Sequence, residues 1–153
     1  MSESCGICKL IEGPGALPAI WEDARWRVQP IGQPWGLAGW MMLIAKRHVA
    51  GPAHFDDAEA ASFGPILRHL ERVLERTTGA LRIYTAALGE SHPHFHCHMV
   101  PRSAQMPKDA KGWAVFDLER AARAGEIPLQ TSEMERLIEE YRRVLRDDPP
   151  PRI

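Results

Sequence analysis

The clearest pattern in the chain is the strict alternation of side chains around residue 96. Histidines occupy every second position from 94 to 98, and the residues between and after them are bulky or apolar. The order is His94, Phe95, His96, Cys97, His98, Met99, Val100. A period of two is typical of a half-buried strand, because side chains two apart lie on the same face. The pattern therefore predicts a strand with apolar side chains toward the core and three imidazoles together on the other face.

Other stretches predict the rest of a sheet. Residues 20–28 have the pattern of a hairpin, with its turn near Asp23. Residues 37–45 form an apolar run that predicts a buried strand, and residues 81–88 predict the next one. The turn at Gly89-Glu90-Ser91 then leads into the histidine strand, and two strands joined by so short a turn are antiparallel.

Apolar residues at helical spacing predict two main helices. The first follows Asp56 and Glu59, which have the spacing of a capping box, and it ends at Gly79. Pro65 inside this pattern predicts a bend or a later start. The second pattern runs from Met134 to Leu145.

The remaining segments complete a single predicted domain, residues 1–146. Residues 113–116 are predicted as an edge segment and residues 117–124 as a short helix. Residues 147–153 are predicted to be a flexible C-terminal tail. A chain of 153 residues without internal repeats is consistent with one domain.

Composition and charge narrow the classes of function. The net charge of −1 provides no basic surface for nucleic acid or an anionic membrane. The most apolar run, residues 37–45, is far too short to span a bilayer, and residues 1–20 do not fit a signal peptide. Three cysteines form no framework of pairs, so we expect a cytoplasmic protein with reduced thiols.

The histidines and cysteines are the candidate catalytic and metal-binding residues. Imidazole serves as nucleophile, proton carrier or metal ligand near neutral pH, and clustering alone does not separate covalent catalysis from a metal site. The Cys5-Gly6-Ile7-Cys8 motif is equally open, since CxxC fits half of a zinc site, a redox pair or a chance occurrence.

The stretch from His94 to Arg102 resembles the motif of the histidine triad superfamily, in which histidine alternates three times with hydrophobic residues. Gly89-Glu90-Ser91 is similar to the segment that leads into the triad, and Lys46-Arg47-His48 to the basic segment that ends a central strand. The resemblance covers roughly residues 5–102. It implies an α+β fold: an antiparallel five-stranded meander sheet, one long central helix and C-terminal helices.

The resemblance also implies roles for individual residues. His96 would be the nucleophile, His98 and Ser91 would lie beside the scissile phosphate with Gly89 in the binding turn, and His94 would orient the site. A structural zinc ion is implied, and the ligands implied for it are Cys5, Cys8, His48 and His94. The additional His92 could replace His94 as a ligand. Members commonly form homodimers, so a homodimer is expected.

Two features depart from the family pattern. The acidic residue that binds ribose has no counterpart near Pro30 and Ile31, and the phosphate-binding asparagine has none among residues 86–88. Trp35 and Trp40 could stack on a nucleobase or belong to the core.

The predicted function is a nucleotide hydrolase or nucleotidyltransferase that cleaves a phosphoanhydride or phosphoramidate, as in a dinucleoside polyphosphate, through a nucleotidyl-histidine. One alternative is a zinc-stabilised nucleotide-binding module with little turnover. The other is a metalloenzyme in which the histidines are ligands.

Overall fold

Five strands form one antiparallel sheet with the spatial order β1-β2-β3-β5-β4. The computed structural model describes residues 5–14 and 16–153. The strands are β1 (Trp21–Glu22), β2 (Trp26–Pro30), β3 (Met41–Ala45), β4 (Arg82–Ala86) and β5 (His96–Arg102). The helices are α1 (Gly6–Glu12), α2 (Asp57–Thr78), α3 (Ala114–Arg123) and α4 (Thr131–Asp147), with a short 3-10 turn at Pro52–His54.

This architecture confirms the predicted α+β class, with its five-stranded antiparallel sheet, long helix and C-terminal helices. The first three strands follow one another as a meander. The last two depart from that order, because α2 carries the chain to the far edge before β4 forms. The return strand β5 then lies between β3 and β4, in the interior of the sheet.

The register of β5 separates its two kinds of side chain, as the alternation predicts. Cys97 and Met99 are buried on one face. Trp26 lies on that same face and donates from its indole Nε1 to Ser62 of α2, so this face packs against the long helix. His96 lies opposite Ile44, and His98 opposite Met42, on the other face.

Helix α2 begins with the predicted capping box. Asp56 accepts from the backbone N–H of Glu59, and Glu59 accepts from the backbone N–H of Asp56. The helix ends at Gly79, whose φ of +64° is the left-handed conformation that glycine adopts readily. The expectation of a late start at Pro65 is wrong. The helix is continuous through Pro65, because its buried apolar side offsets the one hydrogen bond that proline removes.

Two element boundaries differ from the sequence-based expectation. The strand predicted for residues 37–45 begins only at Met41, since the N–H of Leu37 donates to Glu119 of α3 instead of to a neighbouring strand. Residues 113–116 are not an edge segment, because α3 already begins at Ala114. Helix formation there places Val115 in the core.

The C-terminal residues lie along the β1–β2 hairpin. Pro150 is buried, and Arg25 donates to the carbonyl of Ile153. The flexibility of this tail and the domain limit at residue 146 stay predictions. Within the described ranges, no helix combines the length and apolar character that a membrane span requires.

An ion pair between half-exposed Arg47 and the buried carboxylate of Glu59 ties the end of β3 to α2. Glu59 is 2% exposed and accepts from Arg47 Nε at 2.9 Å. We expect Glu59→Gln to lower the free energy of unfolding by about 1–2 kcal/mol. The carboxylate accepts from three N–H groups of Arg47 and Asp56, whereas the amide keeps one acceptor oxygen and places an NH2 donor against the remaining donors. Urea denaturation measures the change.

Glu75→Gln is the matched control, since Glu75 is an exposed carboxylate on the same helix. It should change the free energy of unfolding by less than about 0.5 kcal/mol. Equal destabilisation in the two variants would contradict a special role for the Arg47–Glu59 pair.

Candidate functional site

Four predicted ligands meet where β5 begins. The thiol and imidazole donor atoms of Cys5, Cys8, His48 and His94 all lie within 4.8 Å of one another. His94 Nδ1 is 3.6 Å from Cys5 Sγ and 3.4 Å from Cys8 Sγ, and His48 Nδ1 is 3.4 Å from Cys8 Sγ. Cys5, Cys8 and His94 are buried.

These spacings fit a tetrahedral metal ion. Zinc binds thiolate at about 2.3 Å and imidazole at about 2.0 Å, which places sulfur and nitrogen roughly 3.5 Å apart across a tetrahedron. The observed sulfur–nitrogen distances match that value, and two thiols with two imidazoles are a common zinc ligand set. The described residues can therefore hold a zinc ion here.

Three separate elements deliver the ligands. Cys5 is the N-cap of α1, where its sulfur accepts from the backbone N–H of Cys8, so the short helix turns both cysteines inward. His48 follows β3, in the segment that the Arg47–Glu59 pair fixes to α2. His94 Nε2 donates to the carbonyl of Ala45 at 2.6 Å. That bond leaves Nδ1 with the lone pair that a metal ion requires.

His92 is not part of this group. Its ring lies against Gly6 so closely that a β-carbon on Gly6 would come within 2.6 Å of it. The position of His94 at the sulfur atoms favours His94, not His92, as the fourth ligand. Gly6 thus leaves the space that the additional histidine occupies.

His96 has its tautomer set by the backbone. Its Nδ1 lies 2.7 Å from the carbonyl oxygen of His94. A carbonyl can only accept, so Nδ1 carries the proton, and Nε2 of the neutral ring carries the lone pair. The side chain is half-buried, which leaves it accessible to a small molecule.

His98 has the opposite arrangement. Trp40 Nε1 lies 3.0 Å from His98 Nδ1. An indole N–H can only donate, so Nδ1 accepts and the proton of the neutral ring is on Nε2. Burial, and then the nearby His96, lowers the pKa of His98 to about 4. His98 is therefore neutral at pH 7 and offers one N–H donor beside His96, whose ring centroid is 5.2 Å away.

Helix α3 holds Trp40 in place. Phe116 packs edge-on against Trp40, with ring centroids 4.9 Å apart. Buried Glu119 accepts from the N–H of Leu37 at 2.7 Å, and Arg123 donates to the carbonyl of Gly32 at 2.5 Å. The loop before β3, and with it Trp40, is thus fastened to α3.

The remaining predicted site residues lie near the histidines or on the opposite face of the sheet. Ser91 is exposed on the loop between β4 and β5, and within the described ranges it makes no hydrogen bond to His96. Gly89 has a φ of +66° in the same loop. Their substrate-binding roles stay predictions. Cys97 lies on the opposite face, where burial raises the pKa of its thiol to about 12, so this thiol is protonated at neutral pH.

The contribution of Trp40 and α3 to the site is only weakly indicated by the sequence. Trp40 lies two residues before Met42, and residues two apart in an extended chain share a face. This spacing therefore indicates that Trp40 lies on the same face as Met42. Its partner on β5 follows only from the strand register. Phe116 and Glu119 gave no such signal, because they lie in a segment whose helix was predicted only in part.

Solved structures of histidine triad proteins have the same fold. A hypothetical histidine triad nucleotide-binding protein from Sulfolobus tokodaii is 16% identical, with a TM-score of 0.64 over 94% of this chain and 93% of its own. A Hit-like protein involved in cell-cycle regulation from Bartonella henselae is 15% identical, with a TM-score of 0.65 over 95% and 98%. A zinc-bound histidine triad family protein from Mycobacterium smegmatis is 19% identical, with a TM-score of 0.63 over 95% and 97%.

The chain therefore has the histidine triad fold over nearly its whole length, as its motif predicts. No protein-family model matches the sequence, and no curated protein matches it. At these identities the likeness concerns the fold alone, so activity and ligands rest on the chain's own residues.

The Trp40–His98 hydrogen bond can be tested by titration. We expect Trp40→Phe to raise the pKa of His98 from about 4 by about half to one unit, because Nδ1 loses the donor that stabilises the neutral ring. NMR titration of the imidazole signals measures this pKa.

Trp35→Phe is the control, because Trp35 is an equally buried tryptophan whose Nε1 donates to the carbonyl of Ile31 instead. It should leave the pKa of His98 unchanged. The same shift in both variants would mean that the indole of Trp40 has no specific effect on His98.

Proposed function

We propose that this protein is a histidine triad enzyme that transfers a nucleotidyl group to His96, from a nucleoside phosphoramidate or a dinucleoside polyphosphate. One observation carries the proposal: His96 Nδ1 donates to the carbonyl of His94 at 2.7 Å. This bond leaves Nε2 as the nucleophilic nitrogen of a half-buried neutral ring, as attack on phosphorus requires.

The reaction proceeds in two displacements. His96 Nε2 forms a bond to phosphorus while the bond from phosphorus to the leaving group breaks, and the leaving group departs with that electron pair. An amine leaving group takes up a proton from water. Water then attacks the nucleotidyl-histidine, the phosphorus–nitrogen bond breaks, a proton is released, and His96 returns to its neutral form with a nucleoside monophosphate as product.

His98 supplies a fixed hydrogen-bond donor for this chemistry. Trp40 donates to His98 Nδ1, and this hydrogen bond orients the His98 ring. The orientation of the ring in turn fixes the direction of its Nε2–H. A pKa of about 4 keeps the ring neutral, so His98 stabilises a charged phosphoryl oxygen or the leaving group by donating and does not exchange its proton. Ser91 and Gly89 are proposed to bind the phosphoryl group from the β4–β5 loop.

Nucleoside recognition differs from the family pattern. The residue where a ribose-binding carboxylate is expected is Ile31, which is buried. Ribose is therefore proposed to bind without a carboxylate at this position.

Zinc is proposed as a structural ion. Four protein donors would complete the coordination sphere of a tetrahedral zinc ion, whereas catalytic zinc keeps one position for water or substrate. The zinc-bound protein from Mycobacterium smegmatis with the same fold supports the proposal. A closed ligand set argues against the alternative of a metalloenzyme, and it leaves His96 outside the ligand group.

The open edge of the sheet bears on how copies of the chain assemble. Strand β4 has one neighbour and so leaves an open edge, next to exposed Leu81 and Leu88. A homodimer formed along this edge is proposed, as is a cytoplasmic location. Nucleic acid and membranes are not proposed as partners, in keeping with the net charge of −1.

Covalent catalysis is tested by intact mass. Wild-type protein is incubated briefly with a panel of adenosine and guanosine phosphoramidates and dinucleoside polyphosphates, without acid. We expect a nucleoside-monophosphate adduct on wild type and none on His96→Ala, whose turnover should fall by about 10³-fold or more.

The matched control is His54→Ala, which removes an exposed histidine far along the chain from the triad; it should form the adduct as wild type does. Tight nucleotide binding without adduct or turnover across the panel would favour the alternative of a binding module.

Zinc binding is tested by metal analysis after refolding with equimolar zinc. Wild type should retain about one zinc ion per chain, and Cys8→Ser should bind zinc at least about tenfold more weakly, because one of four ligands is lost. Cys97→Ala, a buried cysteine on the opposite face, should retain zinc. Equal zinc content in the two cysteine variants would exclude the proposed ligand set.

A further inference from the structure

A small pocket lies on the triad face, on the β4 side of His98. Its volume is about 120 Å³, and it is lined by Tyr84, Thr85, Ala86, Gly112, Trp113 and Phe116. Ala86 is the direct partner of His98 in the sheet register, and Tyr84 lies two residues farther along the same face. The pocket therefore begins one strand spacing from the triad.

The lining of this pocket is aromatic and uncharged. Trp113 and Phe116 have ring centroids 5.6 Å apart at an angle of 34°. Trp113 is 64% exposed, more than any other large apolar side chain described. No residue of the lining carries a charge at neutral pH, so the pocket offers no cation to a phosphate chain. Side chains of this kind bind planar rings by stacking.

Phe116 connects the pocket to the catalytic histidines. Its ring centroid is 6.4 Å from that of His98 and 4.9 Å from that of Trp40. One wall of the pocket is therefore the residue that packs on the Trp40–His98 pair. A ligand bound here lies on the side of His98, the donor that the proposed mechanism uses to stabilise a phosphoryl oxygen or the leaving group.

The volume limits what the pocket can hold. A cavity of about 150 Å³ lined by apolar side chains accommodates benzene, so 120 Å³ that opens to solvent suits one ring. Because the pocket starts beside His98, that ring must be joined to phosphorus by a linker of a few atoms. The far base of a dinucleoside polyphosphate is separated from the attacked phosphorus by a charged chain and does not fit this description.

We propose that the pocket of Tyr84, Trp113 and Phe116 binds an aromatic ring of the leaving group, so that the preferred substrates are nucleoside phosphoramidates of arylalkyl amines. This inference rests on the proposed function and adds the class of leaving group. Transfer follows the two displacements given above, with the arylalkyl amine released in the first.

The test compares two adenosine 5′-phosphoramidates, of 2-phenylethylamine and of ethylamine, which differ only in the ring. For wild type we expect kcat/KM to favour the phenylethyl substrate by about tenfold, a typical effect of stacking one ring. Trp113→Ala should reduce this ratio to about twofold or less, and Trp113→Phe should restore most of it. Leu129→Ala, which truncates another exposed apolar side chain, should keep the wild-type ratio.

A binding measurement separates this inference from the proposed function. The dissociation constants of the same two compounds are measured by calorimetry on His96→Ala, which is not expected to turn them over. Tighter binding of the phenylethyl compound, lost when Trp113→Ala is added, supports the pocket even if wild type shows no turnover and the proposed function fails.

Three results would overturn the inference. The first is equal affinity and equal kcat/KM for the two compounds. The second is a preference for the ring that persists in Trp113→Ala. The third is a change from dimer to monomer in Trp113→Ala, measured by sedimentation velocity without ligand, which would assign Trp113 to an interface between copies of the chain.

Discussion

The site depends on hydrogen-bond partners that can act in only one direction. A carbonyl oxygen only accepts and an indole N–H only donates, so each fixes the proton of the imidazole it contacts. The carbonyls of Ala45 and His94 fix the rings of His94 and His96, and Trp40 fixes His98. Three chemically identical side chains thus present different nitrogens: His94 offers the lone pair of Nδ1, His96 offers the lone pair of Nε2, and His98 offers an Nε2–H donor.

The strand explains why these roles stay separate. His94 precedes β5 and turns toward α1, whereas His96 and His98 lie within β5 on the open face. The His94 carbonyl that orients His96 belongs to the residue whose ring faces the two cysteines. A metal ion held at that corner would therefore also hold the acceptor of the nucleophile in place, without taking part in the reaction.

The sequence was most informative where one side chain pattern had one physical explanation. Alternation predicted the strand and the two faces of residues 96–100, because a one-residue shift would bury imidazoles and expose Met99. It also predicted His94 on the open face, and that is wrong: His94 precedes β5 and is buried against the two cysteines. The capping box of Asp56 and Glu59 predicted the start of α2 for a similarly local reason. The metal group was reached only through the family resemblance, since residues 5, 8, 48 and 94 are joined by the fold.

The contacts that tune His98 could not be predicted in this way. From the sequence, Trp40 could be a core residue or a residue that stacks on a base. Only the β3–β5 register shows that it lies beside His98. Its position depends in turn on Glu119 and Arg123, about eighty residues farther along the chain, which bind the backbone of the loop before β3. Backbone groups have no signature in the sequence, so such contacts emerge only from the assembled structure.

The two sides of the triad also differ in their physical character. Toward His94 the surroundings are thiols and imidazoles within 4.8 Å, which suit a bound cation. Toward His98 they are aromatic and uncharged, and that environment holds its pKa near 4. A group arriving at His96 would thus meet a fixed donor on the apolar side, the Nε2–H of His98, which the proposed reaction uses to stabilise a phosphoryl oxygen or the leaving group. The same surroundings would select, by shape and by the absence of charge, which leaving groups can lie beside His98.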